Sequence, residues 1–314
     1  MHVLLVGGAG YLGGRITSAL TTQPGIRVRI LTPEDPHPQW RQWPGVEILR
    51  ADVRNRESLA GSCDGITHLI YLAGLNQTAS EARPLEALAV SGLGAFYVAK
   101  EAARAGVQRF VYISSFHVYG EVGMERLTED LPVQPRNQYG VSRRLGEMYC
   151  ALVAESCGLS LAILRLSNGY GAPADDQADC WSLVVNDLCR QAVCDGRLVL
   201  KSSGRQQRDF IAMHDLLAGL ELFLRLPADR LGQRIYNLGS GVSMSILEVA
   251  ERVRAVYAEL FGVTLPLQTG TDAAHAQPFW FDIGRARALG FGPRADMARE
   301  IREIFEVCGT PEAI

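Results

Sequence analysis

Met1-His2-Val3-Leu4-Leu5-Val6-Gly7-Gly8-Ala9-Gly10-Tyr11-Leu12-Gly13 opens the chain. The apolar run at 3–6 reads as a buried strand, and a glycine-rich turn carries it into a helical pattern over Tyr11–Thr21. Gly7, Gly10 and Gly13 keep a G-x-x-G-x-x-G spacing. Glycine permits the tight turn and lets backbone N–H groups approach a pyrophosphate, which sits at the positive N-terminus of the helix. A glycine pattern alone is weak, but the strand–turn–helix context predicts a dinucleotide site built on Gly7, Gly10, Tyr11, Leu12 and Gly13. The competing reading is a merely tight turn.

Outward from that stretch, short apolar runs alternate with helical patterns. Residues 28–31, 46–49, 68–72, 110–114 and 161–166 read as strands, and 56–62, 85–105 and 138–157 as helices. Such alternation implies a parallel sheet with helices on both faces, joined by right-handed crossovers, with ligands collecting at the C-terminal strand ends. The expected fold class is α/β: a Rossmann-type doubly wound parallel sheet with a smaller C-terminal substrate lobe that closes over the nucleotide. After about Asn168 the pattern loosens into mixed elements, with helices at 215–224 and 245–260 and a strand at 234–238. The dinucleotide-binding domain is therefore placed at 1–167, with 211–240 returning to it, and the lobe at 168–210 and 241–314.

Composition narrows the class. A chain of 314 residues forms one large domain or two closely packed ones. Its 47% apolar and 21% charged residues fit a soluble globular protein, and a net charge of −3 argues against nucleic acid or an acidic membrane as partner. No apolar run approaches the roughly 20 residues that cross a bilayer, and the first strand is too short and uncharged for a signal peptide. The 7 cysteines show no C-x-x-C pair or Cys/His ligand spacing. They read as reduced core thiols of a cytoplasmic protein, with no metal site.

The second strand ends Leu31-Thr32-Pro33. An Asp or Glu there would accept hydrogen bonds from the ribose 2′-OH of NAD. Neutral Thr32 removes the repulsion against a 2′-phosphate, and Arg15 could supply positive charge, or be a solvated helix residue. Glu34 and Asp35 lie close by and oppose it. The balance leans to NADP(H) over NAD. Asp52 and Val53 are expected beside the adenine, and Leu72-Ala73-Gly74 lets a cofactor pass close to the backbone.

Tyr139 and Arg143, four apart at the start of a helix, can point into one cleft. A cation beside a phenol favours the phenolate, which makes a tyrosine usable as an acid or base. A hydroxyl such as Ser115 can hold a substrate oxygen in line.

Here the sequence resembles the extended short-chain dehydrogenase/reductase family, in its nucleotide-sugar epimerase, dehydratase and ketoreductase branch. The resemblance rests on Gly7–Gly13, Asp52-Val53, Arg109-Phe110-Val111-Tyr112-Ile113-Ser114-Ser115, Val118-Tyr119-Gly120 and Tyr139-Gly140-Val141-Ser142. It continues through Asn168-Gly169-Tyr170-Gly171, Arg208-Asp209-Phe210-Ile211, Tyr236-Asn237-Leu238-Gly239-Ser240-Gly241 and Asp282-Ile283-Gly284-Arg285-Ala286. It implies that Ser115 binds the reacting oxygen, that Tyr139 is the acid/base, and that Ser114, Tyr139 and Arg143 border the cofactor. It also implies that Arg208 grips a nucleotide-sugar diphosphate and that Asn168 lies beside it. For Arg208 the alternative is an ion pair with Asp209 or Asp215, and for Asn168 a loop cap.

The chain departs from that pattern at Arg143, where the family motif has lysine. Arginine keeps the charge but not a proton relay. The 4,6-dehydratases carry Asp-Glu where this chain has Phe116-His117, so dehydration is not expected. His117 is a candidate second acid or base, or else a pocket-lining residue. Ser91 stands where the family has Asn, and 270–278 carry no second diphosphate arginine. The readings left open are C4 epimerisation or 4-keto reduction of a nucleotide sugar, reduction of a non-sugar carbonyl compound, and a non-catalytic dinucleotide-binding sensor. The two long helices, with Gly94 and Ala95 allowing close approach, suggest a homodimer.

Overall fold

The computed structural model describes residues 1–34, 38–120, 126–175, 177–232, 234–271 and 279–309. Asp35 and residues 272–278, which entered the reading above, lie outside them. Two compact units are present: Met1–Glu121, Glu129–Leu166 and Leu220–Asn237 in one, and Val122–Thr128, Ser167–Gly219 and Leu238–Ile314 in the other. Of the stretch 211–240, the first unit thus holds Leu220–Asn237.

The first unit is built on a seven-stranded sheet in the spatial order Ile235–Leu238, Leu161–Leu166, Arg109–Ser115, His68–Tyr71, His2–Val6, Arg27–Thr32, Val46–Arg50. The pairings recorded between His2–Val6 and its two neighbours, and outward to Val46–Arg50 and Leu161–Leu166, are parallel. The strand order turns back at His2–Val6, which makes the doubly wound Rossmann topology expected from the alternation. Strands covered on both faces need near-continuous apolar sequence. Arg109–Ser115 is buried at every position, and Leu4, Val6, Leu69, Val98, Phe110 and Leu161 share one core with the stacked rings of Tyr71 and Tyr112.

Two helix expectations need correction. The segment at 56–62 is only a 3₁₀ turn, Arg56–Leu59, capped by Asn55 and followed by Gly61 at φ +74°. The helix at 85–105 is interrupted: Pro84–Leu88 and Ala95–Arg104 are α-helical, and Ala89–Gly94 between them is a π-helical turn. A π turn inserts a residue and loosens the carbonyl ladder. Here the Tyr71 hydroxyl donates to the Val90 carbonyl at 2.6 Å and the Tyr112 hydroxyl to that of Ser91 at 3.1 Å.

The helix Gln138–Cys157 packs on this interrupted helix. An added Cβ on Gly92 would reach 2.5 Å from Leu145, and one on Gly146 would collide with the Tyr112 hydroxyl and the Ser91 carbonyl. Close approach thus belongs to Gly92 and Gly146. Gly94 and Ala95, expected to allow close approach between helices of a homodimer, face inward instead: Gly94 lies against Val53 and Tyr71, and Ala95 is fully buried.

The second unit holds a three-stranded sheet, in the order Ser243–Ser245, Gln207–Ala212, Asn168–Tyr170. Its core brings together Val185, Leu188, Val249, Val253, Ile301 and Phe305 from the helices Val184–Cys194, Ile246–Phe261 and Met297–Cys308. All seven cysteines are free thiols, and no helix among the described residues is long and apolar enough to cross a membrane.

Candidate active site

The glycine loop has the form its spacing predicts. Gly7 sits at φ +77°, and a Cβ there would lie 2.5 Å from the Ala73 Cα, so the first and fourth strand ends meet at backbone distance. Gly13 is equally constrained, since its Cβ would collide with the Gly8 carbonyl. Gly10 is different, with open space where a Cβ would stand. It is the extended N-cap of Tyr11–Thr21, with no side-chain cap and no acidic residue in the first turn. Tyr11 and Leu12 form that first turn, whose N–H groups and positive dipole suit a pyrophosphate. Arg15, one turn on, has a buried Nε without a partner among the described residues. This loop therefore fits a dinucleotide.

The other strand-end residues are more engaged. Thr32 is buried, and its hydroxyl accepts the Glu34 N–H at 3.3 Å. The Asp52 carboxylate is gripped by Arg54, with Nε at 3.0 Å and Nη2 at 2.7 Å, and this hydrogen bonding holds its carboxyl below the ordinary range. Val53 is buried. The Ser114 hydroxyl donates to Glu147 at 2.6 Å, so only its backbone is left to border a cofactor. Alternation along the strand then turns Ser115 to the other face.

Ser115 ends its strand and caps the 3₁₀ turn Phe116–Tyr119. Its oxygen accepts the His117 backbone N–H at 3.3 Å and lies 2.9 Å from His117 Nδ1. The His117 ring meets the Tyr139 ring edge-on, with centroids 5.4 Å apart at 84°. Asn137 caps the tyrosine helix by accepting the Gly140 N–H at 2.7 Å. Gly140 has no room for a side chain, because a Cβ would come within 2.6 Å of the His117 carbonyl. That contact seats the helix start on the serine turn.

One helical turn on, the Arg143 guanidinium stacks over Tyr139, Cζ 5.4 Å from the ring centroid. It is buried, and its bonds run to the ends of two central strands: Nη1 donates to the Ala73 carbonyl at 3.1 Å and the Ile113 carbonyl at 3.2 Å, and Nη2 to that of Leu72 at 3.3 Å. Gly74 makes room for it, since a Cβ there would collide with Nη2 and lie 2.6 Å from Cζ and 2.9 Å from the Ser91 hydroxyl. Burial lowers the guanidinium pKa, but Tyr139, Tyr112 and Tyr71 outweigh it and the net shift is upward, so it stays a fixed cation.

Sequence reasoning misses a buried polar network beneath this site. Glu147 accepts from Ser114 and from Arg165 Nε and Nη2, both at 2.8 Å. Arg165 stacks over Tyr119, whose hydroxyl donates to Asn237 at 2.7 Å and whose phenol burial pushes up to about 12. The signal available was Arg165 alone within the apolar strand Leu161–Leu166, while Glu147 has a local partner in Arg144, at 2.9 Å one turn before it, that conceals the distant one.

Asn168 and Arg208 belong to the second unit. The Asn168 amide donates to the Asp209 carbonyl at 2.8 Å, tying its strand to the next. Arg208 donates to the Gln207 carbonyl and the Gln206 side chain and lies over the Phe279 ring. The ion-pair alternative for Arg208 is overturned. The Asp209 carboxylate accepts from Ser240, Gly241 and Val242, and Asp215 from the amides of Arg294 and Ala295. Half-buried, with its pKa lowered by burial and no carboxylate partner among the described residues, Arg208 is free to take an anion. Elsewhere in this unit His214, Glu300 and Glu303 bring ligand-type atoms within 4.8 Å, with His214 Nδ1 hydrogen-bonded to Glu300.

Residues 3–239 match the model of the NAD dependent epimerase/dehydratase family. The chain is 26% identical over 303 residues to the low-salt glycan biosynthesis protein Agl12 of Haloferax volcanii, covering 93% of this chain and 94% of that one. It is 28% identical over 330 residues to a UDP-glucose 4-epimerase of Neisseria meningitidis serogroup A, covering 96% and 95%. Among solved structures it resembles the UDP-glucose 4-epimerase of Thermus thermophilus in complex with NAD, with a TM-score of 0.80, 25% identity, and 98% and 99% coverage.

Proposed function

The chain belongs to the NAD dependent epimerase/dehydratase family of extended short-chain dehydrogenases/reductases, and from that premise we propose that it acts on a nucleotide-activated sugar, by C4 epimerisation or 4-keto reduction. The observation that carries this reading is the contiguity of Ser115, His117, Tyr139 and Arg143 at the C-terminal ends of the central strands. A nicotinamide dinucleotide bound on the glycine loop would accept and return the hydride. The residues to hold it are Gly7, Gly10, Tyr11, Leu12 and Gly13 at the pyrophosphate, Thr32, Asp52 and Val53 at the adenosine end, and Leu72, Ala73, Gly74 and the Ser114 backbone beside the nicotinamide half.

Tyr139 takes the proton from the sugar's C4 hydroxyl, or returns it to the C4 oxygen. Arg143 stabilises the phenolate by charge alone. Ser115 donates a hydrogen bond to the same oxygen, and Arg208 binds the diphosphate with Asn168 beside it. With Phe116 and His117 the chain lacks both carboxylates of the Asp-Glu pair that the 4,6-dehydratases use, which supports epimerisation or reduction. Neutral Thr32 and the Arg15 Nε, which has no partner among the described residues, support admission of a 2′-phosphate, so NADP(H) is expected to bind at least as well as NAD. A homodimer is supported by exposed Leu85 and Leu93 on the interrupted helix and exposed Val141, Met148 and Leu152 on Gln138–Cys157.

The test is turnover of a panel of UDP- and dTDP-linked hexoses and their 4-keto forms, read by NMR. Tyr139→Phe should lower the rate by ~10²-fold or more while leaving dinucleotide binding intact. Tightly retained NAD identifies the epimerase, and exchangeable binding with an NADPH preference the reductase. Wild-type protein that binds dinucleotide and turns over none of the panel refutes the sugar reading.

A further inference from the structure

We propose that His117 is a positioning residue whose Nδ1 proton makes the Ser115 hydroxyl an obligate hydrogen-bond donor to the reacting oxygen; the inference rests on the assignment of Ser115 to that oxygen. A serine hydroxyl has one proton to donate and two lone pairs to accept with. The Ser115 oxygen already accepts one bond from the backbone N–H of His117, a group that can only donate. The second close partner is His117 Nδ1, at 2.9 Å, and a ring nitrogen donates or accepts according to where its proton sits.

The two alternatives differ in what they leave Ser115 able to do. With a bare Nδ1, the serine proton is drawn to the ring and nothing remains to stabilise negative charge on a substrate oxygen. With the proton on Nδ1, both lone pairs of Ser115 are filled by one residue, and its O–H is the only remaining function. Such a serine binds a carbonyl or alkoxide oxygen and cannot accept a bond from a hydroxyl. It favours the electron-rich oxygen of the transition state over a resting alcohol, which is the discrimination that accelerates a reaction.

The fold holds the ring for this task. Ser115 and His117 lie two apart on one tight 3₁₀ turn, so side chain and main chain of the histidine reach the same oxygen. Phe116 packs on the imidazole with centroids 4.2 Å apart, and the Tyr139 edge closes the other side. The imidazole therefore stands between the two groups assigned to the reacting oxygen.

Two measurements test this. Long-range ¹H–¹⁵N spectra of the histidine-labelled resting protein, which require no substrate, should show the His117 proton on Nδ1; a bare Nδ1 overturns the proposal. In turnover, His117→Asn keeps an N–H donor and should retain kcat/KM within about fivefold. His117→Asp offers only an acceptor and should lose ~10²-fold, the scale of removing one oxyanion donor. In a Ser115→Ala background the same Asp substitution should cost nothing further, because the two residues act as one. An Asn variant as poor as the Asp variant, or an undiminished loss in the Ser115→Ala background, overturns the proposal. Absence of any wild-type turnover refutes the sugar reading instead, and the spectrum then decides the histidine's proton by itself.

Discussion

Arg143→Lys restores the family motif and should nevertheless weaken this protein. Three buried carbonyls, at Leu72, Ala73 and Ile113, receive the guanidinium at 3.1–3.3 Å. A hydrogen bond from a charged donor contributes roughly 1.5–3 kcal/mol, and these long ones belong at the lower end. A lysine ammonium is a single point and cannot span three acceptors that a planar fork reaches from two nitrogens. Losing two of the bonds costs about 3 kcal/mol, and the weakened stacking on Tyr139 adds about 0.5–1 kcal/mol. At ~2–4 °C per kcal/mol, Tm should fall by roughly 7–16 °C. Differential scanning calorimetry measures this directly, with dinucleotide titration and turnover on the same samples. The catalytic rate should fall as well, since Gly74 is shaped around a guanidinium. A lysine variant with unchanged Tm, or with a raised rate, refutes the reading of Arg143 as a clamp on the strand ends.

Gly74→Ala places a Cβ against Nη2 of Arg143 and should reproduce much of that loss, about 2–4 kcal/mol by chemical denaturation, with no charge removed. Arg54→Ala frees Asp52. Its depressed carboxyl contributes stability that is present above the unfolded value of ~3.9 and lost as pH falls through the lower folded value, so the Tm gap between wild type and variant should close on acidification below about pH 4. Leu152→Glu, at a site 58% exposed, should leave the monomer fold unchanged by circular dichroism and shift the species in sedimentation velocity from dimer to monomer. Asp209→Asn sets an amide among the N–H groups of Ser240, Gly241 and Val242 and should destabilise by about 2–4 kcal/mol in urea melts.

The parts legible in the sequence are those encoded locally. Gly7 and Gly13 announce a turn because the close approach of backbone there leaves no room for a side chain, and the helix Gln138–Cys157 shows itself by its pattern. The strands of the central sheet are apolar because they are covered, so their order along the chain could be read as well. What stayed hidden depends on distant partners. Nothing near Arg143 indicates that its acceptors lie some 30 and 70 residues away. Glu147 and Arg165 each look ordinary until the fold pairs them. Gly94 looked suited to a helix interface, but as the last residue of the π turn it lies against Val53 and Tyr71. His117 could be singled out by chemistry, and only the turn shows that it folds back on Ser115.

The irregular turn at Ala89–Gly94 constrains how this chain can change length. Each α-helical residue advances the winding by about 100°. Deleting one residue there would relax the turn to ordinary winding and swing Ala95–Arg104 round its own axis. Val98, Ala99 and Ala102, now fully buried, would move toward water, the Tyr71 hydroxyl would lose the Val90 carbonyl, and the Tyr112 hydroxyl would keep only its longer bond to the Arg143 carbonyl. The insertion therefore ties length to packing: a single deletion would cost buried contacts along Ala95–Arg104 together with the bonds from the two phenols, so the span from Pro84 to Arg104 resists shortening.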